Sequence, residues 1–233
     1  MLKDKIKSCQ SGILFYGITP PKAKHTQEET QVIAQKHIDR IQNLDIDGLV
    51  LYDIQDEVDR TQDERPFPFM QTLDPTLYSE KYLNKLDVAK IVYKAVGKYT
   101  QDEMTQWLEQ TKKSQNYSVF VGAASVSQKQ TINLRQAYNL KKEVNEDLIL
   151  GGITIPERHT KKQNEHLNVF GKMQSGCEFF VSQAVYNLEA AKNFLSDYYQ
   201  KSIDDNIPMV PIIFTITPCG SVKTLEFMKW LGI

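Results

Sequence analysis

The sequence predicts an α/β chain folded as a (β/α)8 TIM barrel, with seven of the eight units present. Three observations predict it. Apolar runs rich in β-branched and aromatic residues alternate seven times with capped or amphipathic segments, and no hairpin turn joins two runs. That is the pattern of a parallel sheet covered by helices. No Gly-x-Gly-x-x-Gly follows the first run, as a dinucleotide-binding open sheet would require. Polar residues follow the carboxyl ends of most runs rather than one neighbouring pair, and a barrel gathers such ends into a ring.

The elements follow in order. Residues 12–18 form the first strand, stopped by Thr19-Pro20-Pro21. Thr26 and Glu29 have capping-box spacing, and Ala34, His37, Ile38, Ile41 and Leu44 mark one helical face. Asp47-Gly48 turns the chain into a second strand at 49–54. A long connection follows to about residue 86, with Pro66-Phe67-Pro68-Phe69 inside it. Connections of that length are usually functional or carry structure of their own. The third strand is 88–96, and Thr100 with Glu103 caps the next helix. The fourth strand, 117–122, and a helix from about 132 to 146 lead to a fifth strand at 148–155. Helix 163–174 ends at Gly176, a C-cap position. Strand 179–185, helix 188–202, strand 209–216 and a helix opened by Gly220-Ser221 complete seven units. One barrel domain over 1–233 is expected. The apolar end Trp230-Leu231-Gly232-Ile233 and the missing eighth unit suggest a fragment of a longer chain, with a natural seven-stranded variant as the alternative.

Composition limits the partners. A net charge of −1 over 233 residues gives no basis for nucleic-acid or anionic-membrane binding. Apolar runs are strand-sized, and no signal-peptide core follows Met1. Cys9, Cys177 and Cys219 are odd in number and far apart, which fits a reducing, cytoplasmic location rather than a disulfide framework. No Cys-x-x-Cys or His-Glu-x-x-His occurs, so no metal is expected.

The strand ends supply the candidate site. Gly151-Gly152 lies in a buried run that ends in Pro156-Glu157-Arg158-His159, and the two glycines are expected to let the backbone approach something closely. The second strand delivers Asp53, Gln55, Asp56 and Glu57, which also read as a solvated acidic loop. Gln183 ends the sixth strand, where an amide needs partners. Phe67 and Phe69 read as a lid over a planar ring or as a cover for the rim. Lys172 is bland on a helix, His37 reads as a packed core histidine, and His25 and His166 have no informative context. Lys90 and Lys94 are the lysines of the third strand that a Schiff-base barrel enzyme would need, and Cys177 and Cys219 lack a paired histidine by spacing.

Taken together, these motifs resemble the methylenetetrahydrofolate reductase family over residues 16–216. The resemblance rests on Pro20-Pro21-Lys22, Asp59-Arg60-Thr61, Pro156-Glu157-Arg158-His159, then Lys172, Gly176 and Phe180-Val181-Ser182-Gln183, in order on successive units. It implies a (β/α)8 barrel that reduces 5,10-methylenetetrahydrofolate with NAD(P)H. It places His159, Asn168, Lys172 and Tyr93, the last where the family has a histidine, around FAD. It places Gln183 on the folate; Asp53 and Gln55, at the end of the second strand, are expected as further substrate contacts. The sequence departs from the family in two places. Gly17 stands where the family has its glutamate acid, and Gly122-Ala123-Ala124 stands where it has Arg-Gly-Asp. Members that work without flavin are therefore a fitting comparison; Asp53, Glu57 and Glu157 are the carboxylates available to supply a proton, and Glu57 or Glu157 is the expected donor.

Three functions follow: an NAD(P)H-dependent methylenetetrahydrofolate reductase, a folate- or pterin-binding protein without reductase activity, or another barrel enzyme. Gly17 and Ala124 favour the second, and the polar strand ends favour the first. The expected partner is a small folate, and association into a homo-oligomer stays open.

Overall fold

The structure, a computed structural model, describes residues 1–56, 63–113, 117–123 and 130–232. Its elements run α1 (Leu2–Lys7), β1 (Phe15–Ile18), α2 (Gln27–Ile41), β2 (Gly48–Leu51), α3 (Pro75–Tyr82), β3 (Ala89–Ala95), α4 (Gln101–Thr111), β4 (Tyr117–Val121) and α5 (Leu134–Val144). They continue with β5 (Ile149–Thr154), α6 (Pro156–Lys162), α7 (Glu165–Gln174), β6 (Phe179–Ala184), α8 (Leu188–Asp204), β7 (Ile212–Thr215) and α9 (Val222–Trp230). Seven strands pair in chain order, all parallel, from β1 to β7. The result is a nearly closed α/β barrel. Among the described residues β7 and β1 share no ladder. At the amino end of that seam, Cys9 Sγ donates to the Met209 carbonyl at 3.1 Å.

Both expected capping boxes form. Thr26 Oγ1 accepts from Glu29 N while Glu29 reaches back to Thr26 N, and Thr100 and Glu103 do the same for α4. Each satisfies two otherwise orphaned helix-end donors. The long connection after β2 contains α3, started by Pro75 and capped by Asp74, whose Oδ1 accepts from Thr76 N and Leu77 N.

Strand alternation divides the core in two. Phe15, Val50, Ile91, Tyr93, Val119, Ile149, Phe179 and Val181 point into the barrel. The intervening residues, such as Leu49, Leu51, Phe120, Leu150 and Phe180, face the helices. The interior is filled by pairing large side chains with glycine. A Cβ on Gly48 would stand 2.4 Å from Ile91, and one on Gly151 would stand 2.6 Å from the Phe179 ring. Gly152 makes the same room for Phe180 on the helix side. The two glycines therefore admit neighbouring aromatic rings, which corrects the expectation that they admit a close external approach.

Helix α1 was not expected from the sequence. It places buried Leu2 and Ile6 in the interior cluster, against the amino ends of the strands. Lys5 Nζ holds it to Asp47 Oδ1 at 2.5 Å, and Asp47 Oδ2 accepts from Leu14 N. The barrel floor is thereby plugged. No helix among the described residues is long and apolar enough to cross a membrane.

Candidate ligand cavity at the mouth of the barrel

A cavity of about 900 Å³ opens at the carboxyl ends of the strands. That is the upper part of the range for small-molecule sites. Its inner wall is Tyr52, Tyr93, Val121 and Ile153. Asp53 and Gln55 line one side, Arg158, Glu165, Asn168 and Lys172 another, and Gln183 and Thr215 a third. Thr224, Phe227, Met228 and Leu231 of α9 line it too, so this helix crosses the mouth.

The two inner phenols pack edge to face, with ring centroids 5.0 Å apart. Tyr52 follows Val50 in the inward phase of β2, and its ring fills the space beside Gly17. Burial raises the pKa of both phenols, and for Tyr93 the neighbouring Tyr52 adds to the effect. Both therefore stay protonated near neutrality.

Asp53 is buried and held on several sides. Its Oδ2 accepts from Ala95 N at 2.8 Å and from the Tyr99 hydroxyl at 3.2 Å, and its Oδ1 pairs with Lys98. Gln55 Nε2 donates to the Gly122 carbonyl at 3.0 Å and ties the β2 end to the β4 end. Gln183 is half-buried and makes no side-chain hydrogen bond to another described residue. Its amide is free to meet a ligand.

Helix α7 brings Glu165, Asn168 and Lys172 to the cavity. Glu165 is buried, and its Oε1 accepts from Ile155 N at 2.8 Å and Thr154 Oγ1 at 3.1 Å. Its Oε2 accepts from Asn168 Nδ2 at 2.9 Å. Lys172 Nζ donates to the Ile153 carbonyl at 2.5 Å. Burial pulls the Lys172 pKa down, and Glu165 only partly opposes this.

Asp53, Gln55, Tyr93, Asn168, Lys172 and Gln183 thus all line the cavity. Two candidates do not. The Pro156-Glu157-Arg158-His159 stretch is the first turn of α6, not a loop. Glu157 Oε1 meets Tyr186 N at 3.4 Å, over the β6–α8 connection. His159 is buried on the helix side, where its Nε2 lies 2.9 Å from Asp197 Oδ2 on α8. The phase of a helix that starts at Pro156 sends Arg158 inward and His159 outward. Glu57 and the Asp59-Arg60-Thr61 motif lie outside the described residues, as does Ala124.

Other readings also change. Lys94 is on the helix-facing side of β3, buried with Nζ 3.1 Å from Asp74 Oδ2 and over the Tyr99 and Trp107 rings, so it is not a cavity lysine. Burial pushes the Cys177 thiol up to about 11, which is wrong for a nucleophile. Phe67 packs edge-on to Phe227 of α9, and the Arg65 guanidinium lies 5.0 Å from the Phe227 ring centroid and 5.5 Å from that of Trp230. The Phe67-Phe69 segment therefore clamps α9 over the mouth. Sequence reasoning missed Tyr52, Arg65 and Glu165 as lining residues, while Arg158 of the strand-end cluster does line the cavity. For Tyr52 the signal was present, since it shares the inward phase of Val50.

A parallel barrel whose cavity collects amides, carboxylates, cations and phenols at the strand carboxyl ends has the layout of a TIM-barrel small-molecule site. No family model and no curated protein matches the chain. Two crystal forms of 2,3-dimethylmalate lyase, a PEP mutase/isocitrate lyase superfamily member, are similar at 11% identity with TM-scores of 0.51 and 0.50. The matches cover 98% and 99% of this chain and 78% and 74% of theirs, and they share the fold alone. An uncharacterized protein from Clostridium thermocellum that binds two copies of 5-methyl-5,6,7,8-tetrahydrofolic acid is 54% identical, with a TM-score of 0.89, over 100% of this chain and 76% of that one. The chain belongs to the family of that Clostridium protein.

Proposed function

We propose that this chain is a reduced-folate-binding protein that holds 5-methyltetrahydrofolate in the cavity at the barrel mouth. The observation that carries the reading is the 54% identity to a 5-methyltetrahydrofolate binder across the whole chain. The cavity chemistry supports it. A pterin is flat, with a donor–acceptor edge, and suits an apolar slot with a few placed amides and carboxylates. The Tyr52–Tyr93 wall offers the slot, and Gln183, with Gln55 and Asp53 beside it, offers the polar edge. Arg158 and Lys172 supply positive charge for the ligand's glutamate carboxylates. 5-Methyltetrahydrofolate has no iminium to reduce, so a site that only holds it needs no acid at position 17.

Calorimetric titration of the purified chain with 5-methyltetrahydrofolate tests this. Saturable binding that weakens in Gln183→Ala is expected. The absence of binding would overturn the reading.

A second reading keeps a reductase that uses NAD(P)H on 5,10-methylenetetrahydrofolate. One observation favours it: a protonated phenol, Tyr52, fills the place of the family's acid. Oxidation of NADH dependent on methylenetetrahydrofolate would support it, and ligand binding without turnover would leave the binder. Of the four residues that the resemblance places around FAD, three line the cavity and one does not. Asn168, Lys172 and Tyr93 reach the cavity, the last packed on Tyr52, but His159 turns away to Asp197.

A further inference from the structure

Helices α6, α7 and α8 meet outside the barrel wall behind the cavity. Each contributes one group to a cluster there: His159, His166 and Asp197. One ring nitrogen of each histidine and one Asp197 oxygen lie within 4.8 Å of one another. The two imidazoles stand edge to face, with centroids 5.3 Å apart. His159 is 2% exposed, and its Nε2 already lies 2.9 Å from Asp197 Oδ2. The Asp197 side chain is 51% exposed, which leaves a route in from solvent.

Hydrogen bonding leaves this cluster incomplete. His159 Nδ1 and His166 Nδ1 are both buried and have no hydrogen-bond partner. Unpartnered buried polar atoms are rare, and each calls for an explanation such as an ion. Two imidazoles and one carboxylate make a three-ligand set that leaves a fourth position for water. Ligand atoms on a tetrahedral centre with bonds of about 2.0–2.1 Å lie about 3.3 Å apart.

We propose that His159, His166 and Asp197 bind one divalent first-row transition metal ion of the zinc class. Imidazole nitrogens select such ions over Mg²⁺ and Ca²⁺, which take oxygen ligands. The ion ties α6 and α7 to α8. Because α7 also carries Glu165, Asn168 and Lys172 to the cavity, the ion braces one wall of the ligand site from behind. This assignment is independent of what the cavity binds.

The test uses the full chain with Cys9→Ser and Cys219→Ser, which remove the two exposed thiols that compete for zinc. After chelation and desalting, the protein is titrated with Zn²⁺ by calorimetry and melted with and without the ion. A Co²⁺ titration reports the ligand set by visible absorption. One equivalent bound at micromolar or lower Kd is expected, with a rise of several degrees in Tm. Asp197→Asn, at an exposed position, and His166→Gln should each keep the metal-free Tm and weaken Zn²⁺ at least tenfold. Mg²⁺ should give no shift. Zn²⁺ binding that survives unchanged in Asp197→Asn would overturn the proposal, as would the lack of any saturable one-equivalent binding in the parent chain.

Discussion

The Tyr52 hydroxyl oxygen lies 2.7 Å from where a Cβ on Gly17 would stand. Any side chain at position 17 would have to displace that ring, so the glycine there and the placement of Tyr52 go together. Tyr52 is in turn held by Tyr93, so the three positions act as one unit.

Gly17→Ala should therefore push the Tyr52 ring aside and destabilise the fold by about 0.5–1.5 kcal/mol, the usual cost of forcing a side chain off its rotamer. The same change in a Tyr52→Leu background should cost less. Urea midpoints for the two single variants and the double variant measure this coupling.

Gln183 and Asp53 line the same cavity but should behave differently. Gln183→Ala removes an amide with no bond to another described residue, so Tm should hold while 5-methyltetrahydrofolate affinity falls about five- to tenfold, the worth of one hydrogen bond. Asp53→Ala strands the buried Ala95 N–H and takes from Lys98 its carboxylate partner. It should cost about 2–3 kcal/mol of stability. Parallel melts and calorimetric titrations separate the two roles.

Affinity for the anionic ligand should depend on Lys172. Burial sets its folded pKa below the ordinary 10.5, so its positive charge is lost at lower pH than for a solvated lysine. Binding should weaken as pH rises through that lowered value. Lys172→Met should bind more weakly at neutral pH and show a flatter profile, read by calorimetry across the alkaline range.

His37 sets an acid limit on stability. Its Nδ1 lies 2.9 Å from the Tyr78 hydroxyl, and burial, with help from Arg40, lowers its pKa below 6.5. Below pH 6.5 the unfolded chain takes up a proton that the folded chain refuses. Stability is therefore full above that pH and falls as pH drops through the lowered pKa. His37→Gln should show a shallower decline in chemical-denaturation free energy between pH 7 and 5.

The parts of the fold that rest on local rules were legible in the sequence. Thr26 with Glu29 and Thr100 with Glu103 announce helix starts through backbone chemistry that needs no distant partner. Alternating runs announce parallel strands in the same way. Parts that depend on which elements meet were not legible. Phe227, Met228 and Leu231 read as an ordinary apolar helix face whether that face lies on the barrel wall or across its mouth. His159, His166 and Asp197 sit on three helices, and their spacing matches no ligand motif. Gly151 and Gly152 were noticed, but only the register of β5 against β6 shows that Phe179 and Phe180 occupy the space they leave. Helix α1 is six residues long, with Leu2 and Ile6 as its two buried residues, too short for periodicity to register.

That short helix also bears on stability. Ile6→Ala should cost about 2–5 kcal/mol as a large-to-small change in the interior cluster. Denaturant midpoints measure it, and ligand affinity per folded molecule should be unchanged because α1 lies at the far end from the cavity.

With Leu2 and Ile6 stoppering its floor, the barrel is a blind well rather than a tunnel. Among the described residues the cavity opens at the carboxyl ends of the strands, beneath α9 and the Arg65 clamp. A ligand held there would enter and leave past the rim, so its residence time should depend on Phe67, Phe227 and Arg65 as well as on the groups below.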